Sequence, residues 1–175
     1  DPFYDYYWAD VFYSDFYLVS GTSFSAPMVA GAAALLKSVD PEAGVEDVRG
    51  WLTSTTTDSG ETGKQAGTGA GELNVEGAVR AASYAAMQAV WTRADAPVAG
   101  GAVARSWLWG GAPDDYAYEP YDETQHGQRL VYYYDKSRME ITDPLGDRDA
   151  QWYVTNGLLV TEMISGLVQL GDNHF

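Results

Sequence analysis

The sequence predicts an α/β protein with a helical first half and a small α+β unit in its second half. Three observations carry this reading. Residues 22–37, TSFSAPMVAGAAALLK, form one long apolar run of small side chains. Near Met87–Gln88 the texture changes, from Ala, Gly, Ser and Thr to most of the tryptophans and short strand-like runs. Beyond that point Arg129 to Tyr134 and Arg138-Met139-Glu140-Ile141 have strand patterns. The expected division is therefore 1–88 and 89–175, the second unit reading as a truncated module.

Each element has its own signal. Residues 1–20 hold nine aromatics interrupted by Asp5, Asp10 and Asp15, with no glycine, which predicts a strand pair whose partners lie upstream. In the 22–37 run, Pro27 stands within about one turn of the expected helix start, where its missing N–H has no helical partner. Lys37 suits the negative end of the dipole. Ala30, Gly31, Ala32, Ala33 and Ala34 leave hardly any polar face, so this helix is expected to be buried on all sides. The rest of the chain offers few layers to bury it, a hint that part of the fold is missing.

Asp40-Pro41 breaks the chain, and Val45, Val48, Trp51 and Leu52 then recur at helical spacing to about Thr55. Residues 56–72 read as loop. Asn74 is a good N-cap for a helix from Val75 to about Val90, with Glu76 in its first turn. Near 88–95 a packed joint is expected. Leu159, Met163 and Leu167 mark a short helix that Gly166 interrupts or ends.

Composition narrows the function. The 175 residues include 25 Asp plus Glu and 10 Lys plus Arg, a formal charge of −15, and 46% are apolar. The charge is spread evenly: 12 acids and 4 bases up to Met87, then 13 and 6, give −8 and −7. It reads as a solubilising surface rather than an acidic tail. An isoelectric point near 4.2 argues against a nucleic-acid partner, which demands a basic footprint. With no cysteine, disulfide scaffolds, thiol catalysis and cysteine-ligated zinc are excluded. No run approaches the ~18 apolar residues of a membrane span. The chain opens Asp1-Pro2-Phe3 without an initiator Met or signal peptide, and both ends read as cut from something longer.

One stretch carries chemistry: Gly21-Thr22-Ser23-Phe24-Ser25-Ala26-Pro27-Met28-Val29-Ala30-Gly31. It places a serine at the mouth of a helix, straight after a glycine that can turn sharply and let a substrate backbone approach. The partial positive charge and free N–H groups of a helix N-terminus favour an oxyanion forming there. On the residues alone, the simpler reading of Ser23 is the N-cap of a buried helix.

This stretch resembles the nucleophile motif of the subtilases, the subtilisin-like serine peptidases, G-T-S-x-[SA]-x-P-x-V-[AS]-G, with every fixed position filled. Met28 stands where many members have His. The helix from Val45 and the run Gly69-Ala70-Gly71-Glu72-Leu73-Asn74 leading into a helix resemble the last stretch of that domain, so the likeness covers about residues 15–88. The resemblance implies an incomplete three-layer subtilisin-like unit, its C-terminal portion, with Ser23 as the catalytic serine and the following helix as the family's central buried helix. It implies a protein or peptide substrate, an extracellular or cell-surface location, and no cofactor for the chemistry.

In subtilases the triad Asp and His and the oxyanion-hole Asn precede the Ser, whereas the 22 residues before Ser23 contain no His and no Asn. The partner implied is thus the upstream part of the same catalytic domain, and the chain alone is expected to be inactive. A Ser23–His126 pair is not forbidden, but His126 and His174 read as solvated loop residues. Structural Ca²⁺ could be gathered by Asp114, Asp115, Glu119, Asp122 and Glu123, or by Asp143, Asp147 and Asp149, although neither set matches a defined calcium loop. Solvated acidic loops are the simpler reading.

Residues 89–175 resemble, more softly, an uncharacterised module of bacterial extracellular proteins, through Arg105-Ser106-Trp107-Leu108-Trp109-Gly110, Asp135 to Glu140 and Trp152 to Leu159. Trp107 and Trp109 at strand spacing suit a binding face or, more simply, packing. Lys136, Arg138 and Glu140 on alternate positions read as the wet face of a strand. Three functions follow: a serine endopeptidase with an accessory module, a non-catalytic extracellular binding module on the same scaffold, or a structural module dominated by its second half. An exposed central helix predicts marginal stability and self-association. A sharp thermal transition of a monomer, independent of concentration, would contradict that expectation.

Overall fold

The computed structural model describes residues 21–58 and 63–175; the strand pair expected within 1–20 lies outside them. Helix α1 (Thr22–Val39) starts after Gly21, whose φ of 153° needs a glycine. Pro27 is its sixth residue, deeper than the sequence suggested. The N–H it lacks is the one that the carbonyl of Ser23 would receive, so the first turn is loosened rather than merely begun there. Lys37 Nζ closes the other end, donating to the carbonyls of Pro41 and Ala43.

Burial of α1 differs from the sequence expectation. Only Ala32, Leu36 and Val39, one stripe at helical spacing, are buried, while Phe24, Met28, Val29 and Leu35 are exposed. The uniformly small, apolar run permits burial on any side, but the described neighbours reach only the C-terminal half. There α1 meets helix α2 (Val45–Ser54) and helix α3 (Val75–Ala94) in a cluster of Leu36, Val39, Ala78 and Ala82, flanked by Val48, Trp51 and Leu52. The alanines on α3 let the two helix backbones come close. Asp47 caps α2 by accepting from Gly44 N–H (2.8 Å), and Asn74 caps α3 by accepting from Gly77 N–H (2.8 Å).

Helix α3 continues past the expected Val90, so the junction at 88 falls inside it. Its second half turns Met87 into a different cluster, with Trp109, Leu130, Tyr132, Tyr134, Met139, Ile141 and Tyr153. That cluster is one face of an antiparallel sheet with strand order β1 (Asp115–Pro120), β2 (Gln128–Tyr133), β3 (Arg138–Ile141) and β4 (Thr155–Asn156). The register pairs Leu130 with Ile141 and Tyr132 with Met139, which puts all four on the α3 side. Helices and an antiparallel sheet together make the α/β class read from the sequence. β2 and β3 fall where expected, whereas β1 lies within what was read as an acidic loop. Helix α5 (Leu159–Ser165) ends at Gly166, whose φ of 73° stops it. No described helix is long and apolar enough to cross a membrane.

The joint between helix and sheet is held by one carboxylate. Asp95 follows α3, precedes the short helix α4 (Ala96–Ala99), and is fully buried. It accepts from the amides of Leu108 (3.0 Å), Trp109 (2.7 Å) and Gly110 (3.2 Å) and from Arg105 (3.3 Å). Trp91 adds a bond from its indole N–H to the Gly110 carbonyl (2.8 Å). The pair Trp107 and Trp109 forms no strand: this segment wraps the carboxylate, burying Trp109 beside Tyr134 and setting Trp107 against Trp91. Arg148 ties the 142–153 loop back to the helices, donating to the carbonyls of Val39 and Ala82 (both 3.3 Å).

Burial pushes the Asp95 carboxyl up, but the three amides and Arg105 outweigh it and hold it below its ordinary value. The stabilisation is therefore complete above the unfolded value of about 3.9 and is lost as pH falls through the lower folded value. Asp95→Asn should cost about 2–3 kcal/mol at neutral pH. Urea unfolding from pH 7 down to 3 should show that cost shrinking at the acid end.

Candidate functional site

Ser23 is the second residue of α1 and is exposed. Among the described residues no side chain caps this helix end, and no acid occupies its first turn; Phe24 N–H bonds back to the Gly21 carbonyl (3.1 Å). An 18-residue helix thus presents its positive end beside the Ser23 hydroxyl. Such an end can stabilise an oxyanion, but an unassisted serine is a weak nucleophile.

Both histidines of the chain lie elsewhere. His126 lines a cavity of about 350 Å³ beside Leu35, Ser38 and Val39. Twelve residues from Ser23 to Leu35 span roughly 18 Å of helix, so Ser23 and His126 sit at opposite ends of α1. His174 Nδ1 is 2.7 Å from Asp122 Oδ2. The structure therefore does not bring together the Ser23–His126 pair left open by the sequence. Asp5, Asp10 and Asp15 lie outside the described residues.

The acidic sets have other occupations. Asp143 and Asp147 close their own turns through the amides of Leu145 and Asp149 (both 3.0 Å). Among the described residues no three His, Asp or Glu side chains converge as a metal ligand set. Glu119 belongs to a cluster that sequence reading missed. On the sheet face away from α3, Arg129 and Arg138 have side chains only 1% and 2% exposed. Arg129 reaches Glu140 (3.1 Å) and Glu119 (3.3 Å); Arg138 reaches Glu140 (2.7 Å) and, on α5, Glu162 (2.8 Å).

Surrounding groups complete the cluster. Tyr121 stacks under Arg129 at 4.5 Å, and Tyr133 O–H donates to Glu119. Burial, reinforced by the Glu119 hydrogen bond, pushes the Tyr133 hydroxyl up to about 12. Glu140 is pushed above its ordinary value by burial, which outweighs the pull of Arg129 and Arg138. Gly157 crosses so close that a Cβ there would collide with Arg138 and Glu140. The expected wet face of Arg138 and Glu140 is thus buried, because α5 and the segment through Gln169 cover it. Strand alternation at 129, 138 and 140 was the available signal; what covers that face is a long-range fact.

Removing one partner leaves buried charge exposed to no solvent. Arg138→Met should cost about 3–5 kcal/mol at pH 7. The deficit should shrink in urea unfolding as the pH is lowered, because burial holds the Glu140 carboxyl above its ordinary value and its protonation removes the uncompensated charge.

No curated protein and no solved structure matches the chain at a significant level. Residues 8–71, which contain Ser23 and reach from the undescribed aromatic segment to the loop before α3, match the model of the subtilase family.

Proposed function

We propose that this chain carries the nucleophile-bearing portion of a secreted, subtilisin-like serine endopeptidase, with residues 1–88 belonging to the peptidase domain and 89–175 forming an accessory module. Ser23 Oγ attacks the scissile carbonyl and gives its proton to a histidine. The tetrahedral oxyanion collapses, the amine leaves with that proton, and water then hydrolyses the Ser23 ester. The histidine, its orienting aspartate and an oxyanion-hole asparagine come from sequence preceding residue 1. The observation that carries this reading is the run from Gly21 to Gly31, which sets an exposed Ser23 in the first turn of a helix, two residues after a turn-forming glycine. The family match over residues 8–71 supports it.

A fluorophosphonate probe tests the assignment. The 175-residue chain should label no faster than its Ser23→Ala variant. With the preceding natural sequence attached, Ser23 should be modified stoichiometrically, as read by peptide mass spectrometry, and Ser23→Ala should abolish it. Preceding sequence without such an Asp, His and Asn, or labelling that survives Ser23→Ala, would overturn the assignment and leave Ser23 a helix-end residue.

A further inference from the structure

Helix α5 carries its apolar side outward. Val160, Met163, Ile164, Leu167 and Val168 recur at i, i+3, i+4, i+7 and i+8, the spacing that ordinarily turns a stripe toward the core. All five are exposed, Met163 by 76% and Ile164 by 83%, and Leu158 beside them is exposed too. The inward side of the helix is taken by Glu162, which pairs with Arg138 (2.8 Å) and accepts from the Gln169 amide (2.9 Å). Rolling α5 to bury Met163 and Ile164 would withdraw Glu162 from Arg138 and leave that guanidinium short of a partner on a buried face. The ion pair thus holds the stripe outward, and the fold cannot bury it by turning the helix.

Charge and area say what suits this face. From Gly157 to Gly171 the only ionisable side chain is Glu162, and it is buried, whereas the whole chain carries −15. A basic partner is drawn to the acidic surface rather than to this neutral one. An anionic lipid surface repels the chain, and the stripe lacks the Lys and Arg of an interfacial helix. A second copy fits, because a twofold axis sets the stripe against itself and buries no charge on either side. Six large aliphatic side chains expose on the order of several hundred Å² of apolar surface, the size that marks a site of association. Two such stripes fall short of the ~1,600 Å² of a standard interface, so the contact they make is a weak one.

We propose that α5 and the segment to Val168 form a weak, twofold dimer interface between two copies of this chain, built on Val160, Met163, Ile164, Leu167 and Val168. Two copies at −15 repel one another, so added salt strengthens the dimer, the opposite of its effect on a basic partner. The interface uses neither Ser23 nor the exposed residues of α1, so its failure and the failure of the peptidase reading are distinguishable.

Analytical ultracentrifugation of the 175-residue chain tests it, over concentrations from about 5 to about 500 µM that bracket a weak dimer. The weight-average mass should climb from 19.0 kDa toward twice that value. The dissociation constant should fall at least threefold between about 50 and about 500 mM sodium chloride. Met163→Ser/Ile164→Ser, altered at two exposed positions, should weaken the dimer at least tenfold with an unchanged thermal midpoint, while Met28→Ser/Val29→Ser on α1 should not weaken it. In a dilution series of the unaltered chain followed by NMR, the amides from Val160 to Val168 should shift with concentration and those of Ala78 and Ala82 should not. A monomer throughout the range, weakening by salt, an α5 variant that dimerises like the parent, or a dimer lost with the α1 variant would overturn the proposal. Phosphatidylcholine vesicles that carry down the chain but not its α5 variant, at concentrations where no dimer forms, would overturn it in favour of a lipid surface.

Discussion

Helix α3 is the wall that both halves of the molecule share. Its first turns bring Ala78 and Ala82 against Leu36 and Val39, and its last turns bring Met87 under the sheet. Neither cluster is large, and neither would be closed without this helix. The side chains change along it for a physical reason. Alanine lets a neighbouring helix backbone approach, whereas the twisted sheet leaves a gap that Met87, Tyr84 and Trp91 fill. Asp95 then fixes where the helix stops and where the chain leaves for the sheet.

The sheet is unusual in having two dissimilar buried faces. Toward α3 it is apolar and aromatic; on the other side it is an ion network roofed by α5. That arrangement inverts α5, whose one acid, Glu162, turns inward to Arg138 while Val160, Met163 and Ile164 face outward. Ordinary amphipathic packing would reverse this. The two short bonds from Arg138 to Glu162, and that from the Gln169 amide to Glu162 (2.9 Å), fix the orientation.

Local signals in the sequence were good guides where structure is local. Asn74, Gly166 and the periodicity of Val48, Trp51 and Leu52 located three helices. β2 and β3 followed from their alternation. β1 was hidden because Asp114, Asp115 and Glu119 read as acids in a loop, although Tyr116 and Tyr118 alternate with them. The depth of Arg138 and Glu140 depends on α5, whose Glu162 arrives more than twenty residues later. The place of Ser23 at a helix entrance was legible through Gly21. Pro27 lies deeper in the helix than the sequence suggested, because its effect depends on which residue the helix starts from.

The uneven packing of α1 means that its two ends differ in how they open. Amide hydrogens near Leu36 exchange only when the cluster with Ala78 and Ala82 comes apart, while those around Ser23 are released by fraying of the loosened first turn. Among the described residues, the serine is therefore mounted on a rod that is clamped at its far end. Phe24, Met28 and Val29 lie exposed along that end, so the apolar surface of the helix is covered at Leu36 and Val39 and uncovered beside the serine among the described residues.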